Sequence, residues 1–268
     1  MTPDVQPPAP SLGRVLVVVP TYDERANLPG ALERLRACAP EADVLVVDDG
    51  SPDGTGELAD EWAVADAARH GRTAVHVMHR PGKQGLGAAY VAGFRWALDR
   101  DYDVIVEMDA DGSHRAEDLP SLLAALDGAD LVLGSRWVPG GAVVNWPMSR
   151  QLLSRGGNTY TRLVLGIPLR DATGGFRAYR AQMLRKLHLA DVESHGYCFQ
   201  VDMAWRVIRA GGSAVEVPIT FVERALGESK MSRDIVVEAL TKVTVWGAQH
   251  RFGQLRSAAR RAIGASRG

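Results

Sequence analysis

The feature that most constrains this chain is a rhythm. Short Val-rich runs alternate with longer stretches through its first half: RVLVVV (14–19), ADVLVV (42–47), TAVHVM (73–78), DVIVEM (103–108) and ADLVLG (129–134). Continuous apolar runs of this length, rather than apolar/polar alternation, predict strands buried on both faces. The stretches between them are long enough for crossover helices. The first has Asn27 as its predicted N-cap, Pro29 in its first turn, and Leu28, Ala31, Leu32 and Leu35 at helical spacing. Others are predicted over 55–69, 86–100 and 117–127. Strands alternating with helices in this way imply parallel crossovers, so the expected fold class is α/β, a doubly wound, mainly parallel sheet with helices on both faces. After residue 135 the pattern loosens. A loop is predicted over 137–157, helices near 151–165 and 180–188, and a strand-like segment over 211–224.

Sheets of this kind bind ligands beyond the carboxyl ends of their strands. Those ends read Pro20-Thr-Tyr22-Asp-Glu24, Asp48-Asp49-Gly-Ser-Pro-Asp53 and Asp109-Ala110-Asp111. Two carboxylates one residue apart after an apolar strand can hold a hard divalent cation, Mg²⁺ or Mn²⁺, completed by diphosphate oxygens. The alternative is a pair of solvated loop aspartates. His114 is a further candidate ligand, against the plainer expectation of an exposed loop histidine. In the second motif Gly50 and Pro52 favour a turn, while one aspartate can accept hydrogen bonds from a base or ribose. Gly54-Thr-Gly56-Glu-Leu-Ala59 matches a dinucleotide-binding pattern. However, five loop residues separate it from Asp48, and the next strand ends Val77-Met-His79 with no acidic residue, so nicotinamide binding is rejected. Arg136, Arg224 and Lys230 are isolated cations suited to phosphate, with surface solvation as the default alternative. Asp171 is expected to be structural, holding Thr173 or a backbone amide.

Composition matters mainly for what it excludes. With 46% hydrophobic and 24% charged residues the bulk of the chain is not disordered, and a net charge of −1 disfavours a general nucleic-acid binder. The charge is unevenly placed: residues 230–268 carry +6 and the rest −7. Within that segment Ile235, Val236, Ala239, Leu240, Val243 and Trp246 share a helical face. They predict either an amphipathic helix on an anionic bilayer or a helix packed on the core before a basic tail. Cys38 and Cys198 make no metal-type pair and fit a reducing compartment. The Pro-rich opening predicts a disordered arm over 1–13, and no secretory leader or membrane span is expected.

Taken together these motifs resemble the polyprenol-phosphate mannose synthases, glycosyltransferases of family 2 with a GT-A fold. VVVPTYDERANLP, VVDDGSPDGTGELA, GLGAAYVAGF, MDADGSH, LGSRWVPGG, SRGGN, DATGGFRAYR and FVERALGESK occur in the family's order between about Val15 and Gln249. The resemblance implies a GT-A domain over 14–231 and an amphipathic helix with a basic tail over 232–268. It implies that Pro20, Tyr22 and Glu24 surround the nucleotide and that Val47 and Asp49 line the nucleoside pocket. Asp109, Ala110 and Asp111 would hold sugar nucleotide and metal. Arg136, Arg224 and Lys230 would contact diphosphate or acceptor phosphate, with Asp111 and these three cations as the catalytic groups. Ser113 is a weak third ligand. The implied reaction is transfer of mannose from GDP-mannose to a polyprenyl monophosphate with inversion. A related donor such as UDP-glucose is the nearest rival, and a catalytically dead recruiting subunit the rival from another class. Some relatives carry C-terminal membrane spans that this sequence lacks. The implied location is therefore cytoplasmic, peripheral at the cytoplasmic face of a membrane, reached through the basic end or a membrane-embedded partner.

Overall fold

The structure is a computed structural model and describes residues 12–192, 197–223, 239–249 and 251–252. Seven strands form one sheet in the order β3-β2-β1-β4-β7-β5-β8. These are β1 Val15–Thr21, β2 Asp43–Asp48, β3 Val75–His79, β4 Val104–Glu107, β5 Leu131–Ser135, β7 Arg177–Arg180 and β8 Ala214–Pro218. All neighbours run parallel except β7, which is antiparallel to both β4 and β5. A separate parallel pair joins β6 (Ala142–Val144) to β9 (Thr220–Val222). The helices are α1 Leu28–Cys38, α2 Thr55–His70, α3 Leu86–Leu98, α4 Leu119–Ala125, α5 Met148–Leu165, α6 Ala181–Lys186 and α7 Tyr197–Arg209.

The Val-rich runs explain the layering. Side chains alternate across a strand, so a run that is apolar throughout feeds both faces. Leu16 and Val18 of β1, with Leu45 and Val47 of β2, point to a core that includes Tyr90, Phe94, Met183, Phe199 and Trp205 from α3, α6 and α7. Val17, Val19, Val44 and Val46 point the other way, to Leu28, Leu32, Leu35, Ala59, Leu119 and Leu122 from α1, α2 and α4. Helix α3 lies tight on the sheet at Gly93, where a Cβ would stand 2.5 Å from Val18 Cγ1.

Several expectations are corrected. Asn27 precedes α1 but makes no side-chain cap; its amide donates to Glu24 Oε2 at 2.8 Å. The predicted 137–157 loop contains β6 and the first turns of α5. Besides β6, the structure adds β7 and α7, which the pattern does not predict. The arm over 1–11, and Ile235 and Val236 of the C-terminal face, lie outside the described residues. Of the C-terminal segment, 239–249 is helical. Val243 is buried, Trp246 stacks on Trp205 at 5.9 Å between centroids, and Tyr160 on α5 bonds Thr244 at 2.6 Å. This part of the segment is packed on the core.

Candidate active site

The carboxyl ends of β1, β2 and β4 lie side by side in the sheet, which gathers the three acidic motifs at one edge. The β2 turn is built by its own side chains. Buried Asp48 accepts from Thr21 Oγ1 (2.9 Å), Ser51 N–H (3.0 Å) and Ser51 Oγ (2.5 Å). Asp49, also buried, pairs with the Arg80 guanidinium and accepts the Gln84 N–H at 3.1 Å. It thereby ties the loop after β3 to the β2 end. From that loop Lys83 places its ammonium 3.9 Å from the centre of the Tyr22 ring. Pro20, Tyr22 and Glu24 are partly exposed around this turn, whereas Val47 is fully buried in the core. The Gly54-Thr-Gly56 pattern opens α2, with Asp53 accepting from Thr55 N–H at 3.0 Å.

The third motif lies just past β4. Asp109 and Asp111 are partly exposed, and Ala110 between them is buried in the core. Gly112 turns the chain at φ 76°, a left-handed value that favours glycine, and Ser113 N–H then donates to Asp111 Oδ1 at 3.0 Å. Asp109 Oδ1 accepts the Tyr90 hydroxyl at 3.1 Å. His114 is buried, not exposed: it stacks on Phe176 (5.3 Å) and meets Phe221 edge-on (5.5 Å). Its Nδ1 accepts the Asp109 N–H at 3.1 Å, so it braces the Asp109 main chain rather than ligating through that nitrogen. The two carboxylates are hard oxygen donors of the kind Mg²⁺ and Mn²⁺ take in small numbers, leaving positions for water and diphosphate. Among the described residues no group of three or more His, Cys, Asp or Glu could enclose a metal.

Beneath the edge lies a charged layer. Glu107, the last residue of β4, is fully buried, and burial pushes its carboxyl up to about 7, against the pull of Arg177 and of the Gln200 amide at 2.7 Å. Arg177 stands opposite Glu107 in the β4–β7 register and donates to the carbonyls of Ala172, Gly174 and Gln200 at 2.5–2.7 Å. Tyr90 is likewise buried. Desolvation and then the charges of Asp109 and Glu107 hold its hydroxyl well above the ordinary tyrosine range, so it stays a donor.

Arg136 is not solvated. Its guanidinium grips Asp171 through Nε (2.7 Å) and Nη2 (2.6 Å), and its N–H donates to the same carboxylate at 2.9 Å. Trp137, Trp146 and Phe221 surround it at 5.3–5.7 Å. Asp171 also accepts from Thr173 Oγ1 (3.2 Å) and from Asn158 of α5 (3.3 Å), so it holds both a hydroxyl and a backbone amide as expected. Burial works to raise its pKa, but the Arg136 charge and these hydrogen bonds outweigh that and leave it below the ordinary carboxylate range. Arg224 and Lys230 lie outside the described residues.

The sequence reading missed Tyr90, Arg80, Glu107, Arg177 and Gln200. Glu107 did carry a signal, as the lone charge inside the apolar run VIVEM. Tyr90 and Gln200 carried none, because an aromatic or amide at helical spacing reads as ordinary packing.

A mainly parallel sheet with a self-locked turn beside an Asp-Ala-Asp strand end is the arrangement of the GT-A glycosyltransferases, and comparison with known proteins agrees. The family profile described as glycosyl transferase family 2 matches residues 16–188. A polyprenol monophosphomannose synthase of Mycolicibacterium smegmatis is 56% identical over 92% of this chain and 92% of its own. An undecaprenyl-phosphate mannosyltransferase of Micrococcus luteus is 59% identical over 91% and 98%. A mannosyltransferase from Pyrobaculum calidifontis, solved with GDP-mannose and Mn²⁺, shares the fold with a TM-score of 0.54 at 19% identity, over 95% of this chain and 80% of that one. The chain belongs to glycosyltransferase family 2 and, within it, to the polyprenol-phosphate mannose synthases.

Proposed function

We propose that this enzyme moves mannose from GDP-mannose to a polyprenyl monophosphate, with inversion at the anomeric carbon, at the carboxyl edge of the sheet. The observation that carries the reading is the Asp109–Asp111 pair beside the Asp48–Asp49 turn. In it, the β2 turn with Pro20, Tyr22, Glu24 and Asp49 takes the nucleoside. Asp109 and Asp111 hold a divalent cation, Mg²⁺ or Mn²⁺, which when bound neutralises charge on the departing diphosphate. The acceptor phosphate has a second pKa near roughly 6 and is already anionic at neutral pH, so no strong general base is required. Catalysis is then positioning and charge stabilisation. Arg136, held in place by Asp171, is assigned to the diphosphate or the acceptor phosphate. Arg224 and Lys230 are assigned to the phosphates by the motif that contains them.

The acceptor is a lipid, and no helix among the described residues is long and apolar enough to cross a membrane. Helix α5 supports peripheral contact instead. Its buried positions include the polar Asn158 and Thr161, while Met148, Leu152, Leu153 and Leu163 are exposed. An apolar face turned to solvent, with the exposed Arg155 on the same helix, suits the surface of an anionic, cytoplasmic-facing leaflet.

Donor choice is tested by thermal shift with Mg²⁺ and with Mn²⁺. GDP raises the melting temperature well above the shift given by UDP, because a selective ligand stabilises the folded state by mass action. A larger shift with UDP overturns the donor assignment.

A further inference from the structure

The fold grips the two carboxylates of the Asp-Ala-Asp motif differently. Asp111 is held locally, by the Ser113 amide of its own turn. Asp109 is held from another element, by the Tyr90 hydroxyl on α3. Tyr90 is completely buried and stacked on both Phe199 (centroids 5.9 Å, planes 7° apart) and Phe94 (6.2 Å). A phenylalanine would fill that space and stack as well. A buried hydroxyl costs desolvation unless it is bonded, and here its bond goes to Asp109 Oδ1. The other oxygen, Oδ2, lies 3.8 Å from Nδ1 of the buried His114 and beside Gly175, where a Cβ would stand 3.7 Å from it.

We propose that Tyr90 is a positioning residue of the metal site: its hydroxyl fixes the orientation in which the Asp109 carboxylate meets the cation. This rests on the assignment of Asp109 and Asp111 as the ligands. Outer-sphere partners of metal ligands are typically worth about 10–100-fold in affinity. The bond crosses from α3 to the β4 end, so metal affinity depends on how α3 is seated.

The test is an Mn²⁺ titration of the full chain with GDP present, followed by electron paramagnetic resonance, on wild type, Tyr90→Phe, Phe199→Leu and Asp111→Ala. Loss of binding in Asp111→Ala supports the ligand assignment. Tyr90→Phe then weakens Mn²⁺ by about tenfold or more, and turnover recovers as Mn²⁺ is raised, so the metal KM moves more than kcat. Phe199→Leu disturbs the ring stack but keeps the hydroxyl, and shifts stability with less than about threefold change in Mn²⁺ affinity, below the outer-sphere range. If Tyr90→Phe binds Mn²⁺ like wild type while Asp111→Ala does not, the positioning role is wrong and the ligand assignment stands. An equal loss in Phe199→Leu and Tyr90→Phe assigns the effect to packing and also overturns the role. Unchanged binding in Asp111→Ala overturns both.

Discussion

The two ends of the sheet use the same vocabulary for different purposes. At the amino end, Asp43 accepts the Tyr102 hydroxyl at 2.7 Å and the Arg72 guanidinium at 2.9 Å, while Arg14 stands over the Tyr102 ring at 4.2 Å. At the carboxyl end, Asp109 accepts the Tyr90 hydroxyl at 3.1 Å and Asp111 a backbone amide at 3.0 Å. The tyrosine–aspartate bond is common to both. At the amino end a guanidinium of the chain completes the carboxylate, and the assembly clamps the sheet. In the proposed mechanism, the carboxyl-end pair is completed by a cation brought with substrate. On that mechanism the same tyrosine–aspartate bond clamps the sheet at one end and orients a metal ligand at the other.

This contrast can be broken at either end. The largest effect is expected from Asp111→Ala. Removing a metal carboxylate forfeits several kcal/mol of charge stabilisation, a loss of about 10³-fold or more in turnover. Its urea midpoint stays close to wild type, because Asp111 is partly exposed; a fully active variant removes the metal assignment. Next is Asp171→Asn, which strands the buried Arg136 charge and costs about 3–5 kcal/mol by urea unfolding. The pair also makes stability depend on pH. The folded carboxyl titrates below its unfolded value, so the stabilisation is complete above the ordinary carboxylate range and lost as pH falls through the folded value. The acid limb of a stability–pH curve should therefore flatten in Asp171→Asn. An unchanged limb assigns acid sensitivity to other carboxylates.

Tyr102→Phe is the amino-end counterpart of Tyr90→Phe. It costs about 1.5–3 kcal/mol of stability, as for a bond to a charged group, and leaves metal and nucleotide affinity untouched. A shift in Mn²⁺ affinity would show the ends to be coupled. The smallest effect is at Lys83, whose ammonium lies over Tyr22 at an exposed site. Lys83→Ala should weaken GDP by about 0.5–1 kcal/mol, read by calorimetry. A larger loss means that Lys83 contacts the nucleotide directly.

Much of the parallel half was legible because the signal is redundant. Val17 and Val18 serve opposite cores, so a strand such as VLVVVPT has to be apolar throughout, and few other structures tolerate that. The acidic strand ends followed from topology, since parallel crossovers bring successive carboxyl ends to one edge. Strand β7 was hidden because it is four residues long and carries Arg177 and Arg180. Its antiparallel insertion between β4 and β5 depends on long-range partners. Helix α5 begins inside the predicted loop because its first turns expose Met148 and Leu152, against the usual periodic pattern. At the site, Asp109 and Asp111 were legible as a spacing. The grip on them was not: Tyr90 is 19 residues away in sequence and meets Asp109 only when α3 is laid on the sheet. Arg136 was legible as a cation, but its bond to Asp171 spans 35 residues.

The most direct test of the account is a transfer assay with the purified chain, a short polyprenyl phosphate and either GDP-mannose or UDP-glucose, with Mg²⁺ or Mn²⁺ and with EDTA. Lipid-linked mannose is predicted from GDP-mannose, only when a divalent cation is present, and not from the Asp111→Ala variant. Undiminished product in EDTA, or product from UDP-glucose and none from GDP-mannose, would contradict it.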